Sequence, residues 1–361
     1  MPQPIPEACQ DPATAPDPAG ASQPDDRLAV DIALQGGGAH GAFAWGVLER
    51  LLEEQHLRID GISGTSAGAM NAAVFASGMA VGGADGARQA LTDFWRRVSD
   101  GAMLSPLKRT PLDMLLGRWT LDYSPAFFAL DMASRVFSPY DLNPSGWNPL
   151  REILAASIDF ERLATSPVKV FITATSVSTG RPRIFRNADV TPDALLASAC
   201  LPQMFQAIEI DGEAYWDGGY SGNPTISPLV RECSAHDTIL VQINPVERPG
   251  VPRSAGDILS RVNEISFNAP LLKELRMIAL LRQVADPGHC EGALWADMRM
   301  HRINSERMVE LGYSSKLNAE WAFLTMLRDE GQRSTSEFLD QHGDDLGQRA
   351  TLDLDYLLEG V

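Results

Sequence analysis

A single serine lies among small residues in the stretch Gly64-Thr65-Ser66-Ala67-Gly68. The pattern G-x-S-x-G is typical of a nucleophile elbow, a sharp turn from a strand into a helix where only glycine-sized neighbours avoid a clash. The apolar run at residues 59–62 favours a strand before the turn, and the alanine-rich run at 67–76 favours a buried helix after it. We therefore predict Ser66 as a catalytic nucleophile, with an ordinary glycine turn as the alternative.

A glycine-rich loop, Gln35-Gly36-Gly37-Gly38-Ala39-His40-Gly41, precedes this elbow in the chain. Residues 28–34 before the loop are apolar apart from Asp31 and predict a strand, while residues 42–54 after it have the apolar spacing of an amphipathic helix. Strand, glycine turn and helix thus occur twice in succession. This order implies a mostly parallel sheet covered by helices, and we predict an α/β fold.

The glycine loop has two functional interpretations. Three consecutive glycines can turn several backbone N–H groups toward one point, as an oxyanion requires, and we favour this role for Gly36, Gly37 and Gly38. The alternative is a dinucleotide site, because Gly36, Gly38 and Gly41 satisfy G-x-G-x-x-G between a strand and a helix and Asp60 could contact a ribose. The spacing weakens that alternative, since Asp60 precedes a second glycine elbow.

A carboxylate follows a predicted hairpin in the second half of the chain. The pair Asp211-Gly212 between the segments 207–210 and 213–216 is a strong hairpin signal. The second segment leads into Asp217-Gly218-Gly219. Most Asp-Gly pairs are only turns, but the adjoining Tyr215-Trp216 would place this carboxylate partly out of water, which favours a functional role for Asp217.

Other segments predict the remaining elements, of which the β-branched and aromatic run at 168–175 is the strongest strand. We predict further strands at 237–244 and 300–303, and helices at 88–98, 150–163, 192–200, 257–268, 271–284, 316–329 and 334–361.

We predict that Asp217 accepts the proton of Ser66 directly. A Ser-His-Asp triad would need a histidine after Ser66, in a loop that follows a strand. None of the four histidines after Ser66 has that context. The six histidines of the chain are His40, His56, His236, His289, His301 and His342. A carboxylate is a weak base, so the site would have to be partly dry to raise its proton affinity. The helix N-terminus after Ser66 favours developing negative charge, and the backbone N–H of Ala67 is a further candidate donor.

Composition limits the classes of function. The formal net charge of −17 over 361 residues opposes unaided binding to nucleic acid or to an anionic membrane. The uncharged run at 61–84 is long enough to raise the question of a membrane span, but its Gly, Ala, Ser and Asn71 favour a buried helix and loop. The cysteines are widely spaced with no C-x-x-C pair, which favours a reduced compartment and argues against a structural zinc; they are Cys9, Cys200, Cys233 and Cys290.

The motifs at residues 36–41, 64–68 and 217–219, in this order, resemble those of the patatin-like phospholipase family. The stretch Ala197-Ser198-Ala199-Cys200-Leu201-Pro202 also resembles the A-S-x-x-x-P stretch that such proteins carry before the acid. The resemblance covers roughly residues 28–245. It implies a three-layer α/β/α fold and a serine acyl hydrolase that cleaves lipid ester bonds through an acyl-enzyme intermediate, without a metal or cofactor.

By this resemblance Ser66 is the nucleophile and Asp217 the base of a Ser-Asp dyad. Gly37 and Gly38 line the oxyanion hole, with Gly36 shaping its turn. The other motif glycines are Gly41, Gly64, Gly68, Gly218 and Gly219. The chain departs from the family at His40, where a basic residue often stands, so the resemblance does not supply a fixed positive charge at the oxyanion.

We expect three regions in a cytoplasmic protein. A disordered tail rich in Pro, Ala and Asp covers 1–27 and lacks the features of a secretory signal. A catalytic domain covers 28–250, and a mostly helical C-terminal extension covers 251–361. The oligomeric state is left open.

The expected partner is a lipid or other hydrophobic ester substrate, and no nucleic acid is expected. The alternatives are an esterase for another hydrophobic ester such as a storage polyester, a nucleotide-binding protein, and a catalytically silent scaffold. Transient contact with a membrane surface would have to rest on exposed apolar residues, and one candidate is the segment around Trp119, Tyr123, Phe127 and Phe128. Core packing is expected for most of these side chains.

Overall fold

A computed structural model of the protein describes residues 26–284 and 291–358. Within these residues the chain forms a mixed sheet in the order β5-β6-β3-β2-β1-β7-β8, with β4 also paired to β3. The strands are β1 Leu28–Leu34, β2 Leu57–Gly64, β3 Lys169–Ser176, β4 Pro182–Arg186, β5 Ile208–Ile210, β6 Glu213–Asp217, β7 Asp237–Val241 and β8 Arg299–Ile303. The pairs β1–β2, β1–β7, β2–β3 and β7–β8 are parallel, while β3–β4, β3–β6 and β5–β6 are antiparallel. The predicted α/β fold with a mostly parallel central sheet is confirmed.

Helices surround this sheet. They are α1 Ala42–Leu51, α2 Ala67–Gly101, α3 Pro111–Leu115, α4 Pro125–Ser134, α5 Pro139–Leu142, α6 Leu150–Ser157, α7 Phe160–Ala164, α8 Pro192–Ser198, α9 Ser227–Glu232, α10 Ala255–Val284, α11 Glu291–Ala296, α12 Arg307–Glu310 and α13 Trp321–His342.

Alternation along the central strands assigns the helices to two faces. On β1, Val30, Ile32 and Leu34 belong to one buried cluster, and Ala33 belongs to the other. The first cluster contains residues of α1, α2, α6, α7, α8 and α13, and the second contains residues of α9 and α10. Because successive side chains of a strand point to opposite faces, the sheet is buried between two helical layers. This is the three-layer α/β/α arrangement that was predicted.

The C-terminal residues are built into these layers. Strand β8 extends the sheet beside β7, and α13 packs on α1 with almost no space between the two backbones. A Cβ at Gly46 would lie 1.9 Å from the carbonyl oxygen of Arg328, and one at Gly331 would lie 2.1 Å from that of Phe43. Two glycines therefore permit the close approach of α1 and α13. The domain boundaries given above stay predictions, and residues 1–25 lie outside the described residues.

Four predicted helical segments differ from the structure in their extent. The segment 150–163 is two helices, because the side chain of Asp159 caps α7 by accepting the amide hydrogen of Arg162. The segments 257–268 and 271–284 are one helix, α10, with Pro270 inside it. The segment 316–329 begins with a 3₁₀ turn, Tyr313–Leu317, and only then enters α13.

The predicted C-terminal helix at 334–361 is wrong beyond its first residues. Helix α13 ends at His342, and the described chain continues through short 3₁₀ turns. Gly347 adopts a φ of +79°, a conformation that a helix does not contain.

The uncharged segment at 61–84 supplies β2 and the start of α2. By length and composition α2 could cross a membrane, but 67% of its most apolar 18-residue window is buried inside the fold. Residues 67–78 pack in the core, and the helix kinks at Gly82 and Gly83 before continuing to Gly101. This is the burial expected of a core helix, as the sequence predicted.

Candidate active site

Ser66 occupies the turn between β2 and α2. Its φ of 54° and ψ of −121° are strained for a residue with a side chain, and the residue stays partly exposed. Its backbone N–H donates to the Ser198 hydroxyl at 2.9 Å, and the Thr65 hydroxyl donates to the carbonyl oxygen of Gly222 at 2.7 Å. Contacts from distant parts of the chain therefore hold the elbow, and Ser198 explains the predicted importance of the stretch at 197–202.

Asp217 is the last residue of β6 and is 1% exposed. Its carboxylate accepts the amide hydrogen of Gly219 at 2.8 Å, and the Ser66 hydroxyl lies close enough to lower its pKa as a hydrogen-bonding group. Burial raises the pKa of Asp217 to about 7, while the bonds from Gly219 and Ser66 and the charge of Lys316 act in the opposite direction. The two residues that the sequence proposed as a pair thus lie in contact, and the carboxyl has a proton affinity suited to a base near neutral pH.

The glycine loop lies against Ser66. A Cβ at Gly36 would come within 2.7 Å of the Ser66 Cβ, and the Gly36 amide already donates to the side-chain oxygen of Asn223 at 2.7 Å. Gly36 therefore shapes the turn and cannot donate a second bond of good geometry to an oxyanion. For the amides of Gly37 and Gly38 no acceptor is described within residues 26–284 and 291–358.

All eight motif glycines lie where another part of the chain leaves no room for a side chain. A Cβ at any of them would meet another heavy atom at 2.7 Å or less; they are Gly36, Gly37, Gly38, Gly41, Gly64, Gly68, Gly218 and Gly219. At Gly68 that atom is the carbonyl oxygen of Leu34, and at Gly218 it is the carbonyl oxygen of Thr173. The motifs therefore bring the elbow, the loop and the acid together at the carboxyl ends of β1 and β2, where parallel strands place functional groups.

No sequence pattern pointed to Lys316, whose ammonium donates to the side-chain oxygen of Asn244 at 2.7 Å. Asn244 in turn donates to the carbonyl oxygen of Gly36 at 2.7 Å. The pair Ser315-Lys316 lies 275 or more residues after the loop, and no spacing or periodicity connects it with the three motifs. Only the fold places it there.

The two buried histidines, His40 and His301, are engaged with residues other than the dyad. His301 is fully buried and bonds Asp237 at 3.0 Å, and the ring of His40 bonds the Ser315 hydroxyl at 2.8 Å. Burial and the charge of Lys316 hold the pKa of His40 well below its ordinary value, so its ring is neutral. His289 lies outside the described residues.

Asp60, the ribose ligand of the nucleotide alternative, is engaged elsewhere. Its carboxylate accepts hydrogen bonds from Arg58 at 2.8 Å, from Lys169 at 3.2 Å and from the amide of Ser234 at 2.7 Å. These bonds tie it to the first residue of β3 and to the chain before β7, at the end of the sheet away from the glycine loop. The arrangement does not favour a dinucleotide site.

An apolar insertion, defined here as residues 102–149, borders the site on two sides. On one side, the Gln206 amide donates to the carbonyl oxygen of Asn143 at 2.7 Å. On the other, the backbone N–H of Leu121 donates to the Ser314 hydroxyl at 3.0 Å. Helix α4 in this insertion has no buried residue.

Exposed apolar side chains are concentrated in the apolar insertion. Leu104 is 97% exposed and Leu115 is 83% exposed, and others at least 45% exposed are Met103, Leu112, Met114, Leu116, Tyr123, Phe128, Met132, Val136, Phe137, Tyr140, Leu142 and Trp147. The expectation that most aromatic residues of this segment pack in the core is wrong. Trp119 and Phe127 are only partly buried.

Comparison with known proteins gives one family. The sequence model described as Patatin-like phospholipase matches residues 32–230, more than half of the 361 residues. Among solved structures, the chain is similar to VipD from Legionella pneumophila, with 14% identity, a TM-score of 0.34, and coverage of 85% of this chain and 67% of that one. It is also similar to ExoU, described as a type III effector protein, with 18% identity, a TM-score of 0.28, and coverage of 86% of this chain and 53% of that one.

A third similar structure is the complex of ExoU and SpcU from the type III secretion system of Pseudomonas aeruginosa, with 16% identity and a TM-score of 0.27, covering 89% of this chain and 60% of that one. The chain thus spans about half to two thirds of the length of these structures. A search of curated proteins found no match.

Proposed function

The chain belongs to the patatin-like phospholipase family and is a lipid acyl hydrolase, and from that premise we propose that Ser66 and Asp217 form its catalytic dyad. The observation that carries the proposal is the proximity of a partly exposed, strained serine hydroxyl to a carboxylate that is 1% exposed. The buried histidines His40 and His301 are engaged with Ser315 and Asp237, which supports Asp217 as the base.

The proposed reaction runs in two halves. Asp217 takes the hydroxyl proton as the Ser66 oxygen attacks the ester carbonyl carbon. The amide hydrogens of Gly37, Gly38 and Ala67 are the candidate donors to the oxyanion, and Ala67 opens α2, where the helix dipole also favours negative charge. When the tetrahedral intermediate collapses, the C–O bond to the alcohol breaks and the alcohol leaves with the proton from Asp217.

The acyl-Ser66 ester is then hydrolysed by water. Asp217 accepts a proton from the attacking water, the same amides stabilise the second tetrahedral intermediate, and the Ser66 oxygen leaves and recovers its proton. The products are a carboxylic acid and an alcohol. Neither half of the reaction calls on a metal or cofactor.

A lipid surface is the proposed source of the ester. The apolar insertion carries four basic and four acidic residues, so it is neutral in a chain whose net charge is −17. Its exposed leucines and aromatic residues can enter the headgroup region of a bilayer without bringing the acidic surface of the protein near it. We therefore favour phospholipids or related lipids over a storage polyester, and we propose that the insertion contacts the membrane transiently.

We also propose a cytoplasmic location. The thiols of Cys200 and Cys233 are free, which supports a reduced compartment. Cys9 and Cys290 lie outside the described residues.

Labelling with a fluorophosphonate ester tests the dyad. We expect the probe to modify Ser66 and mass spectrometry to find the adduct on the peptide that contains it, while the Ser66→Ala variant stays unmodified with an unchanged melting temperature. A panel of glycerophospholipids, acylglycerols, short-chain esters and a poly(hydroxyalkanoate) then separates the substrate classes. Labelling at another residue, or ester turnover by Ser66→Ala at the wild-type rate, would contradict the proposal.

A further inference from the structure

The ammonium of Lys316 has an unusual environment. It is partly buried, its described hydrogen bond is to the neutral side-chain oxygen of Asn244 at 2.7 Å, and no ion pair of Lys316 is described within residues 26–284 and 291–358. Withdrawing a cation from water costs free energy when no carboxylate contacts it, which indicates that the protein uses the charge.

The segment around Lys316 holds the glycine loop from two directions. A Cβ at Gly38 would lie 2.4 Å from the Lys316 carbonyl oxygen, so the two backbones are in direct contact. The preceding hydroxyl, that of Ser315, bonds the ring of His40 at 2.8 Å. The turn Tyr313–Leu317 thus packs on one side of the loop that presents the amides of Gly37 and Gly38.

The side chain of Lys316 reaches the other side of the loop. Its ammonium fixes Asn244, whose side-chain amide donates to the carbonyl oxygen of Gly36 at 2.7 Å. The backbone N–H of Asn244 also donates to the Gln35 side chain at 2.9 Å. Lys316 is therefore connected to the glycine loop through one intervening residue, Asn244.

Charged groups near Lys316 are few and can be named. Glu264 is 4% exposed and is already paired with Arg248, at 2.6 Å, and with Arg261. The remaining carboxylate that acts on Lys316 is Asp217. His40 carries no charge, so the ammonium is the fixed positive charge beside the dyad.

We propose that Lys316 is a positioning residue of the hydrolase: it fixes the glycine loop through Asn244 and supplies the positive charge that stabilises the anion formed when Ser66 attacks. This inference rests on the proposed dyad. It also assigns part of the site to the chain beyond residue 230, where the family match ends. A charge that is in place before the reaction stabilises the transition state without reorganisation.

The test compares the neutral variants Lys316→Gln and Lys316→Met with Lys316→Arg, which keeps the charge. Lys316→Gln can still donate to Asn244, so it separates the charge from the hydrogen bond. We expect kcat on a soluble short-chain ester to fall about 10- to 100-fold in both neutral variants, with a smaller loss in Lys316→Arg. Lys273→Met removes an exposed lysine of α10 and serves as the matched control with unchanged kcat.

The pH dependence of activity distinguishes a role for the charge of Lys316 from a merely structural role. Burial lowers the pKa of Lys316 to about 8, with Arg248 acting in the same direction and with Glu264 and Asp217 opposing. Activity should therefore fall as pH rises through that range in the wild type, and this descending limb should be absent in Lys316→Gln. The groups that face Asp217 include Tyr220, whose pKa burial raises to about 12, so it does not titrate in this window. Burial also raises the pKa of Cys200 to about 12 and that of Tyr313 above its ordinary value.

The outcomes are distinct. A Lys316→Gln enzyme with wild-type kcat, or with low kcat and an intact descending limb, overturns the proposal. If circular dichroism shows that neither neutral variant folds, the temperature dependence of the descending limb in the wild type is the test. The limb should move to lower pH on warming, because the pKa of an ammonium falls with temperature. A limb unaffected by temperature overturns the proposal. Failure of the dyad itself would appear separately, as a probe that does not label Ser66.

Discussion

The two ends of the central sheet each contain a buried carboxyl group with a raised pKa, but their surroundings differ. At the carboxyl end, Asp217 lies beside the Ser66 hydroxyl, and burial raises its pKa to about 7. Toward the amino end, Asp31 of β1 is 0% exposed, and burial, reinforced by the charge of Asp60, raises its pKa to about 8. The side chain of Asp31 lies beside Cys233, and within the described residues its two oxygens have no hydrogen-bond partner of good geometry.

The amino end compensates its charges within the protein. Arg58, Lys169 and the amide of Ser234 satisfy Asp60, and they hold the pKa of Asp60 at about 2 although its burial alone would raise it. Asp31 takes up a proton and becomes neutral. The ligand atoms of Asp31, Asp60 and Cys233 lie within 4.8 Å of one another, but a metal ion there would compete with two cations already on Asp60.

The carboxyl end keeps a positive charge and hydrogen-bond donors for which no counter-ion or acceptor is described. There the ammonium of Lys316 has no described ion pair, the amides of Gly37 and Gly38 have no described acceptor, and Ser66 can be reached from solvent. An exposed apolar surface lies beside it. A raised pKa is therefore not enough to identify an active site. This site differs in having an accessible nucleophile beside hydrogen-bond donors for which no acceptor is described.

The largest effect expected from this comparison is on the two aspartates. Asp217→Asn should lower kcat/KM for a soluble ester by about 10³- to 10⁴-fold, because the amide cannot take the proton of Ser66. Asp31→Asn makes the same chemical change in an equally buried carboxyl and should leave kcat/KM within about twofold, since it adds no group to the site. Steady-state kinetics on both variants measures this. An active Asp217→Asn enzyme would direct the search to another base.

The wild-type pH profile sharpens the same contrast. Asp217 must be ionised to act as a base, so kcat/KM should rise with pH through the region near its pKa of about 7. Asp31→Asn should keep this ascending limb in place. A limb that moves in Asp31→Asn would mean that the two ends are coupled, contrary to the distinction drawn above.

An intermediate effect is expected at the apolar insertion. Replacing Leu115 and Phe128 together by serine should raise KM about tenfold for phosphatidylcholine vesicles, because two exposed apolar side chains no longer enter the bilayer. Hydrolysis of a soluble short-chain ester should not change. Val81→Ser is the control, since Val81 is 64% exposed near the kink of α2 and remote from the elbow. Equal losses on vesicles and on the soluble ester would contradict membrane contact.

The smallest effect concerns stability at the amino end. A carboxyl whose pKa is raised by folding binds its proton more tightly in the folded state, so its contribution to stability is present at low pH and is lost as pH rises from about 4 to about 8. Asp31→Asn removes this dependence, and its amide can donate to Asp60. The variant should melt above the wild type at pH 8 by a few degrees, ~2–4 °C for each kcal/mol, and the difference should shrink toward pH 4. Differential scanning calorimetry at both pH values checks this, and a difference that does not depend on pH would mean that Asp31 is ionised in the fold.

Local patterns predicted much of the sheet and of the site. The strand at 28–34 matches β1 residue for residue, and the pair Asp211-Gly212 forms the hairpin turn with positive φ at both positions. The sequence also paired Ser66 with Asp217, and the structure brings the end of β6 to the elbow although β6 is antiparallel to β3. The strand and the hairpin turn depend on residues close in sequence, whose steric limits are local.

Helix ends and surface burial were predicted less well. We predicted two helices, at 257–268 and 271–284, where α10 is continuous through Pro270, and core packing for aromatic residues around Trp119 of which the structure exposes Tyr123 and Phe128. In both cases composition alone cannot show which neighbours a segment meets. Propensity is a weak guide where tertiary contacts, or their absence, decide the outcome.

The sequence by itself determined the strained elbow at Ser66, the glycine turns and the acid after β6, because glycine and hairpin conformations are restricted within a few residues. Only the tertiary structure decided that Lys316 and Asn244 lie behind the glycine loop, that Asn223 occupies the Gly36 amide, and that Asp31 differs from Asp217 in its surroundings. The physical reason is that solvation, field and hydrogen-bond pairing depend on every group within a few ångströms, and those groups come from segments hundreds of residues apart.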